Sequence, residues 1–347
     1  MIQAYWNKTV NKTYPPKLRD YITFSDLGKS YLDRYYKMNA EPITNEFDDR
    51  TLRIFDAGRV MEFIVLRALT MAGILNQKQE YVEIPATSSQ LKVMGYLDCT
   101  IGGFTDWDKA KEIITRHLAE YKLNLDDQLL EQKAINIIEG LREQYPKGIE
   151  EEILVEVKSI NSMAFWAHKN RDEQGNFLGY DHNKLQLYGY MKAKNLKKGI
   201  LLYISKDDFV IEEINLVLGD EKMEKLFNED VATMTKYYKN KEIPPKEEDV
   251  VWNDQKKQYE VNWRIERSPY LTKITTLAKE VWLEVTEDKV RELNLEQKWR
   301  DQAKEHGFDV TGLTTEQIKK MCMARNREIN KMKLEKEGGK SDATSKL

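Results

Sequence analysis

Glu152-Ile153-Leu154-Val155-Glu156-Val157-Lys158 is the stretch whose reading decides the fold. Its apolar members are mostly β-branched and its charges fall only at particular positions, so it reads as a short buried strand. Side chains alternate along a strand, so Ile153, Val155 and Val157 share one face while Leu154, Glu156 and Lys158 share the other. A sheet covered by helices on both faces leaves no water on either side. A carboxylate and an ammonium side by side on such a face are costly unless they are paired or hold a metal. On an edge strand, by contrast, the same two residues make an ordinary solvent-exposed salt bridge. The rest of the chain decides between these readings.

Upstream, residues 104–147 carry two apolar stripes at helical spacing. The first is Ile113, Ile114, Leu118 and Tyr121; the second is Leu130, Ala134, Ile137/Ile138, Leu141 and Tyr145. Asn124, Asp126 and Asp127 supply a turn and cap between them. The pattern predicts a helical hairpin inserted between two strands, with its base close to whatever those strands build and its helices roofing that site or joining a second subunit. Before it, Glu80 to Pro85 and Leu91 to Ile101 read as a β-hairpin. Asp98 interrupts the second strand, where Asp is disfavoured, and Gly95 just before it permits a kink or a close backbone approach. Residues 50–73 read as a helix that is apolar nearly all round, hence buried. Glu62 is its anomaly, either snorkelling to the surface or serving as a ligand. Ser25 is the expected N-cap of a helix ending near Met38, whose Tyr31, Arg34, Tyr35 and Lys37 suit either packing or a DNA backbone.

Downstream, a loop carries Phe165, Trp166, His168 and Lys169. Residues 182–196 then form a helix with Gln186 and Tyr190 on one face at i, i+4. Gly199 to Ser205 is a buried strand, Phe209 to Ile214 its partner, and 220–240 a further helix. Pro244-Pro245 and the acidic run after it mark a boundary. The expected organisation is a core over 1–245 with the 104–147 insertion, a mostly helical region over 246–334, and a disordered tail over 335–347. The fold class is α/β, a central mixed sheet flanked by helices.

Composition narrows the function. The chain has 347 residues, 41% hydrophobic and 33% charged, with a mean hydropathy of −0.67. No apolar run reaches the ~18 residues of a membrane span, and Met1 to Lys12 lack the apolar core of a signal peptide. Two cysteines, Cys99 and Cys322, exclude a disulfide framework and a single-chain four-cysteine cluster. A cytoplasmic protein is expected. Net charge is −3, but residues 1–40 hold seven Lys/Arg against three Asp, and 316–340 hold eight against four Glu. Such local basic patches matter more for phosphate binding than the total.

The order of these features resembles the PD-(D/E)XK nuclease superfamily, specifically its RecB-like, phage-type exonuclease branch. Asp98 matches the first acid of the motif, although Leu97 stands where a proline is usual. Glu156 and Lys158 match (D/E)-x-K, and Gln186-Leu187-Tyr188-Gly189-Tyr190 matches the Q-x-x-x-Y helix. Glu62 stands where the branch carries a helical His or Glu. The resemblance covers roughly residues 20–215 and implies a restriction-endonuclease-like core. The iron–sulfur cysteines of the CRISPR-adaptation nucleases are missing, so no such cluster is expected, which favours a stand-alone phage-type or recombination enzyme.

The resemblance implies Mg²⁺- or Mn²⁺-dependent hydrolysis of DNA, most directly exonucleolytic, in recombination or repair. Glu62, Asp98, Glu156 and the backbone carbonyl of Val157 are the implied metal ligands. Lys158 would position or deprotonate the attacking water, or neutralise charge, while Gln186 and Tyr190 would order the site and touch the DNA strand. Arg34, Tyr35, Arg59, His168 and Lys169 are the candidate DNA-binding side chains. The implied partners are DNA, a single-strand annealing or recombination protein, and a second copy of the chain, with no membrane. The rivals are a structure- or site-specific endonuclease using the same residues, and a non-catalytic DNA- or protein-binding module on the same fold.

Overall fold

The alternation at 152–158 becomes a central strand of a six-stranded mixed sheet. The computed structural model describes residues 16–117, 127–167, 170–253 and 256–341. They fall into two compact units that divide between Lys246 and Glu247. In the first unit β1 (Tyr21–Thr23) and a 3-10 turn (Phe24–Asp26) precede α1 (Tyr31–Met38) and α2 (Asp49–Met71). The hairpin β2 (Leu75–Ile84) and β3 (Lys92–Phe104) follows, then α3 (Asp108–His117), α4 (Asp127–Gln144) and β4 (Ile149–Ile160). A short α5 (Ser162–Phe165), then α6 (Asp181–Lys194), β5 (Lys198–Ser205), β6 (Ile211–Val217) and α7 (Glu221–Asn240) complete it.

The register places a fork in β3. β4 pairs in parallel with β5, which pairs antiparallel with β6. On its other side β4 runs antiparallel to β3, with Cys99 opposite Val155 and Phe104 opposite Ile149. β2 fills the far edge of β3 from Val93 to Ile101. A strand has only two edges, so β1, which pairs with Lys92, Val93 and Met94, must use the edge that β4 uses further along. Asp98 lies between the two stretches.

Both faces of the sheet are covered by helices. On one, Leu154, Leu201 and Tyr203 pack with Leu187, Tyr188 and Met191 of α6 and with Phe227, Val231 and Met234 of α7. On the other, Cys99, Ile101, Val155, Val157 and Leu202 pack with Val65 and Leu66 of α2. Each fully buried side chain of this size contributes ~1.5–3 kcal/mol. The edge-strand reading of Glu156 therefore falls: β4 pairs with β5 through Ile160 and with β3 up to Val155, and Glu156 is 1% exposed.

Several expectations are corrected. Ser25 lies in the 3-10 turn, and the helix begins at Tyr31 after Ser30, whose side chain makes no capping bond. α2 is capped by Asp48, which accepts from the Thr51 amide at 2.6 Å, but it is not buried all round. Val65, Leu66 and Thr70 face the sheet, while Ile54, Phe55, Val60 and Ile64 are exposed. The helical hairpin exists, although its turn lies outside the described residues. Ala110, Ala134 and Ile138 pack with Phe104 and Trp107, against Ile74 just beyond the end of α2, whereas Ile137 and Tyr145 are exposed. A side chain at Gly73, which ends α2 at φ +67°, would strike Ala110. The base of the hairpin is not close to Asp98 and Glu156. β3 runs six residues past Asp98 before the hairpin starts, ~20 Å at strand rise, although Ile113 of α3 reaches back to pack with Cys99, Val155 and Val157.

The second unit joins the hairpin β7 (Val250–Asn253) and β8 (Gln258–Val261), which the sequence reading missed, to α8 (Trp263–Glu266), α9 (Leu271–Thr275), α10 (Lys279–Glu305) and α11 (Thr315–Ser341). Trp282 is buried and donates to Asp249 at 2.8 Å, and Trp299 packs beside Ala303, Ile318 and Cys322. Trp252 and Trp263, by contrast, are exposed. α11 continues into the segment expected to be a disordered tail.

Arg34 is the clearest correction. It is 3% exposed, and its guanidinium grips Asp230 of α7 with bonds of 2.7 and 2.8 Å while lying 4.6 Å over the Tyr31 ring. This is a clasp between α1 and α7, and Arg34 has no face for DNA. Tyr35 packs against the same core. Removing one partner leaves a buried charge alone, so Arg34→Ala or Asp230→Ala should each cost about 3–5 kcal/mol. The double replacement by Met and Leu should cost far less; denaturant unfolding of the three variants checks this.

Candidate active site

The fork in β3 determines what Asp98 does. Leu97 packs on the α6 side and Cys99 on the α2 side, although period two would place both on one face. The alternation thus changes phase at Asp98, and its Oδ2 reaches across to accept the Val157 amide of β4 at 2.8 Å. The facing β2 residue, Gln79, takes φ +50°, uncommon for a non-glycine. Continuing the register from Cys99 and Val155 sets Asp98 opposite Glu156.

Glu156 is 1% exposed. Its Oε1 accepts from Lys158 Nζ and from Gln186 Nε2, each at 2.6 Å. Its Oε2 is buried with no hydrogen-bond partner. Lys158 is on the same face two residues on, and Gln186 comes from α6 above it. Tyr190, one turn further, donates to the carbonyl of Tyr96 at 2.8 Å and is 2% exposed. Gly95 permits this: a β-carbon there would sit 3.1 Å from the Tyr190 hydroxyl. Gln186 and Tyr190 therefore order the site from the α6 side; as buried groups they are not presented to a strand of DNA. Glu62 enters from α2, where Gln79 Nε2 donates to its Oε1 at 2.6 Å. Of the candidate ligands, Val157 turns its side chain to the α2 face and commits its amide to Asp98. Arg59 is exposed on α2, 3.1 Å from Asp56, while His168 and Lys169 lie outside the described residues.

The acids share one field. Burial first, then the charge of Asp98, pushes Glu62 up to about 7. Burial and then Asp98 push Glu156 up to about 8, against the pull of Lys158. Burial raises Asp98 as well, more than Lys158 and the Val157 amide lower it. Burial pulls Lys158 down, but Glu156 and Asp98 outweigh it and hold the ammonium above its ordinary value. Such a set is short of positive charge. Among the described residues no three acidic, histidine or cysteine side chains are already gathered around a metal position. The unpartnered Glu156 oxygen and the all-oxygen donors nevertheless fit a hard divalent cation such as Mg²⁺ or Mn²⁺. Sequence reading missed two contributors. Gln79 fixes Glu62 through a backbone conformation that carries no local signal. Lys29, 4.0 Å from Asp26, adds a positive charge that Lys158 feels.

The raised carboxyls give a testable pH dependence. A carboxyl whose folded value lies above its unfolded value binds more protons when folded, so its contribution is complete below about pH 4.5 and is lost as pH rises through about 7 for Glu62 and 8 for Glu156. Glu156→Gln removes the larger of the two. Its melting temperature should gain progressively on that of the metal-free wild type between pH 5 and 8.5, by thermal melts followed by circular dichroism. Equal slopes for the two proteins would refute the buried-charge account.

No protein-family model matches the chain, and no curated protein matches it in sequence. Among solved structures it is similar to the crystal structure of SSO0001, at 15% identity and a TM-score of 0.41, over 78% of this chain and 94% of that one.

Proposed function

We propose that the chain is a divalent-metal-dependent deoxyribonuclease that hydrolyses phosphodiester bonds, acting as an exonuclease in phage-type recombination or repair in the cytoplasm. The observation that carries this reading is the Glu156 carboxylate. One oxygen is gripped by Lys158 and Gln186, the other is buried and unpartnered, and it stands opposite Asp98 in a field that also raises Glu62. A binding module gains nothing from burying such a set.

Asp98, Glu156 and Glu62, with the Val157 carbonyl, would hold Mg²⁺ or Mn²⁺. The bound ion supplies an acidified water and positive charge for the phosphate. Lys158, held as an ammonium, is suited to orienting that water and neutralising the phosphate rather than to taking its proton. Gln186 fixes the rotamer of Glu156. Tyr190 fixes the β3 backbone at Tyr96, two residues from Asp98. DNA is the substrate, with a single-strand annealing or recombination protein and a second copy of the chain as partners. No described helix is long and apolar enough to cross a membrane.

Linear and covalently closed circular DNA, each with Mn²⁺, test the reading directly. Cleavage of the linear form alone is the exonuclease result, and cleavage of both supports the endonuclease rival. Asp98→Ala, Glu156→Ala and Lys158→Ala should each lower the rate at least about a thousandfold, ~4 kcal/mol, without loss of fold by circular dichroism. Gln186→Ala, which acts through Glu156, should cost about ten- to a hundredfold. Wild-type rates in any of the first three would sink the assignment.

Glu62 has its own test. Glu62→Gln should shift the Mg²⁺ midpoint of cleavage upward with little change in unfolding. An unchanged metal titration would remove Glu62 from the site.

A further inference from the structure

Beside Asp98 the α2 face of the sheet carries exposed aromatic residues. Tyr81 of β2 and Tyr96 of β3 are register partners, so they project on one face. They are 41% and 61% exposed, with ring centroids 5.5 Å apart at 63°. Lys92 and Tyr21 are register partners across the other edge of β3. Lys92 Nζ and the Arg19 guanidinium each lie 5.9 Å from the Tyr21 ring centroid. Glu83 is the acid among them, bonded by the Tyr81 hydroxyl and 3.8 Å from Lys92. Alternation puts Lys92, Met94 and Tyr96 on this face in sequence, and Tyr96 stands two residues, ~7 Å, from Asp98.

The polar handle of Tyr81 is spent on Glu83 and Met94, which leaves its ring as the feature offered outward. Rings of this kind beside cations stack unpaired bases while the cations follow the phosphates, without regard to base identity. A duplex keeps its bases stacked on one another and offers them to no such surface. A strand laid along β3 from Lys92 to Tyr96 arrives at Asp98.

We propose that Tyr81 and Tyr96, with Lys92 and Arg19, form a stacking platform that grips unpaired bases of single-stranded DNA and leads that strand along β3 to Asp98. The platform rests on the nuclease reading, and it makes a single strand the preferred substrate. It also offers a strand the exposed surface that the buried Arg34 does not.

The test uses the full chain, EDTA for binding and Mn²⁺ for cleavage, and fluorescein-labelled oligothymidylate, which cannot pair with itself. Base stacking of ~1–3 kcal/mol per base corresponds to about a five- to hundredfold change at 1.4 kcal/mol per tenfold. Tyr96→Ala and Tyr81→Ala should each weaken anisotropy-detected binding by about that factor. They should raise KM for the oligonucleotide with kcat held, and leave blunt duplex binding as in wild type. Tyr96→Phe, which keeps the ring, should bind as wild type does. Wild-type affinity for oligothymidylate in both alanine variants, in a protein whose cleavage still requires Asp98, would overturn the platform and leave the nuclease reading standing. Equal losses on single strand and blunt duplex would also overturn it. A wild type that neither binds nor cuts any DNA would overturn both.

Discussion

A carboxylate inside a two-sided sheet cannot be left to itself, and the architecture around Glu156 follows from that constraint. Water is excluded by α6 on its own face and by α2 on the other, so its charge must be met by groups from the protein. Lys158 supplies a cation from the same strand and Gln186 an amide from the helix above. The two bonds converge on one oxygen and leave the second bare. A structure serving stability alone is better satisfied by apolar side chains in these positions.

The distortion of β3 belongs to the same constraint. An aspartate that simply alternated with its neighbours would put its carboxylate against one apolar layer. Because the pleat changes phase at Asp98, the carboxylate instead meets the Val157 amide where the β3–β4 ladder stops. The backbone bond lost at the fork is replaced by a side-chain bond, and the strands are held together where they would otherwise separate. Tyr190 and Gly95 brace the strand just before the fork, and Gln79 on β2 adapts to it from the far edge.

Legibility divided along lines of sequence distance. The strand at 152–158, the β2–β3 hairpin and the α6 helix were readable because period two and period 3.6 are local properties. The opposition of Asp98 and Glu156 was inferable from order alone. Arg34 was misread because its partner lies 196 residues away, and nothing near it announces a carboxylate. The apolar wrap of α2 was misread because a pattern gives the apolar positions but not which of them find neighbours. The base of the α3–α4 hairpin was misread because strand length, not strand order, sets its distance from Asp98. The Tyr81–Tyr96 pair was invisible because register creates it: fifteen residues separate the two in the chain, while one rung joins them in the sheet.

The clasp between Arg34 and Asp230 joins residues made far apart in time during synthesis. Glu62, Asp98, Glu156, Lys158 and Gln186 all leave the ribosome before Asp230 does. A nascent chain can thus carry every acid of the set while Arg34 still faces a gap where α7 will pack, its charge unanswered and its helix free to leave the sheet. Only when α7 arrives is the first unit closed. A chain interrupted before residue 230 would hold the complete set of site residues without the carboxylate that answers Arg34.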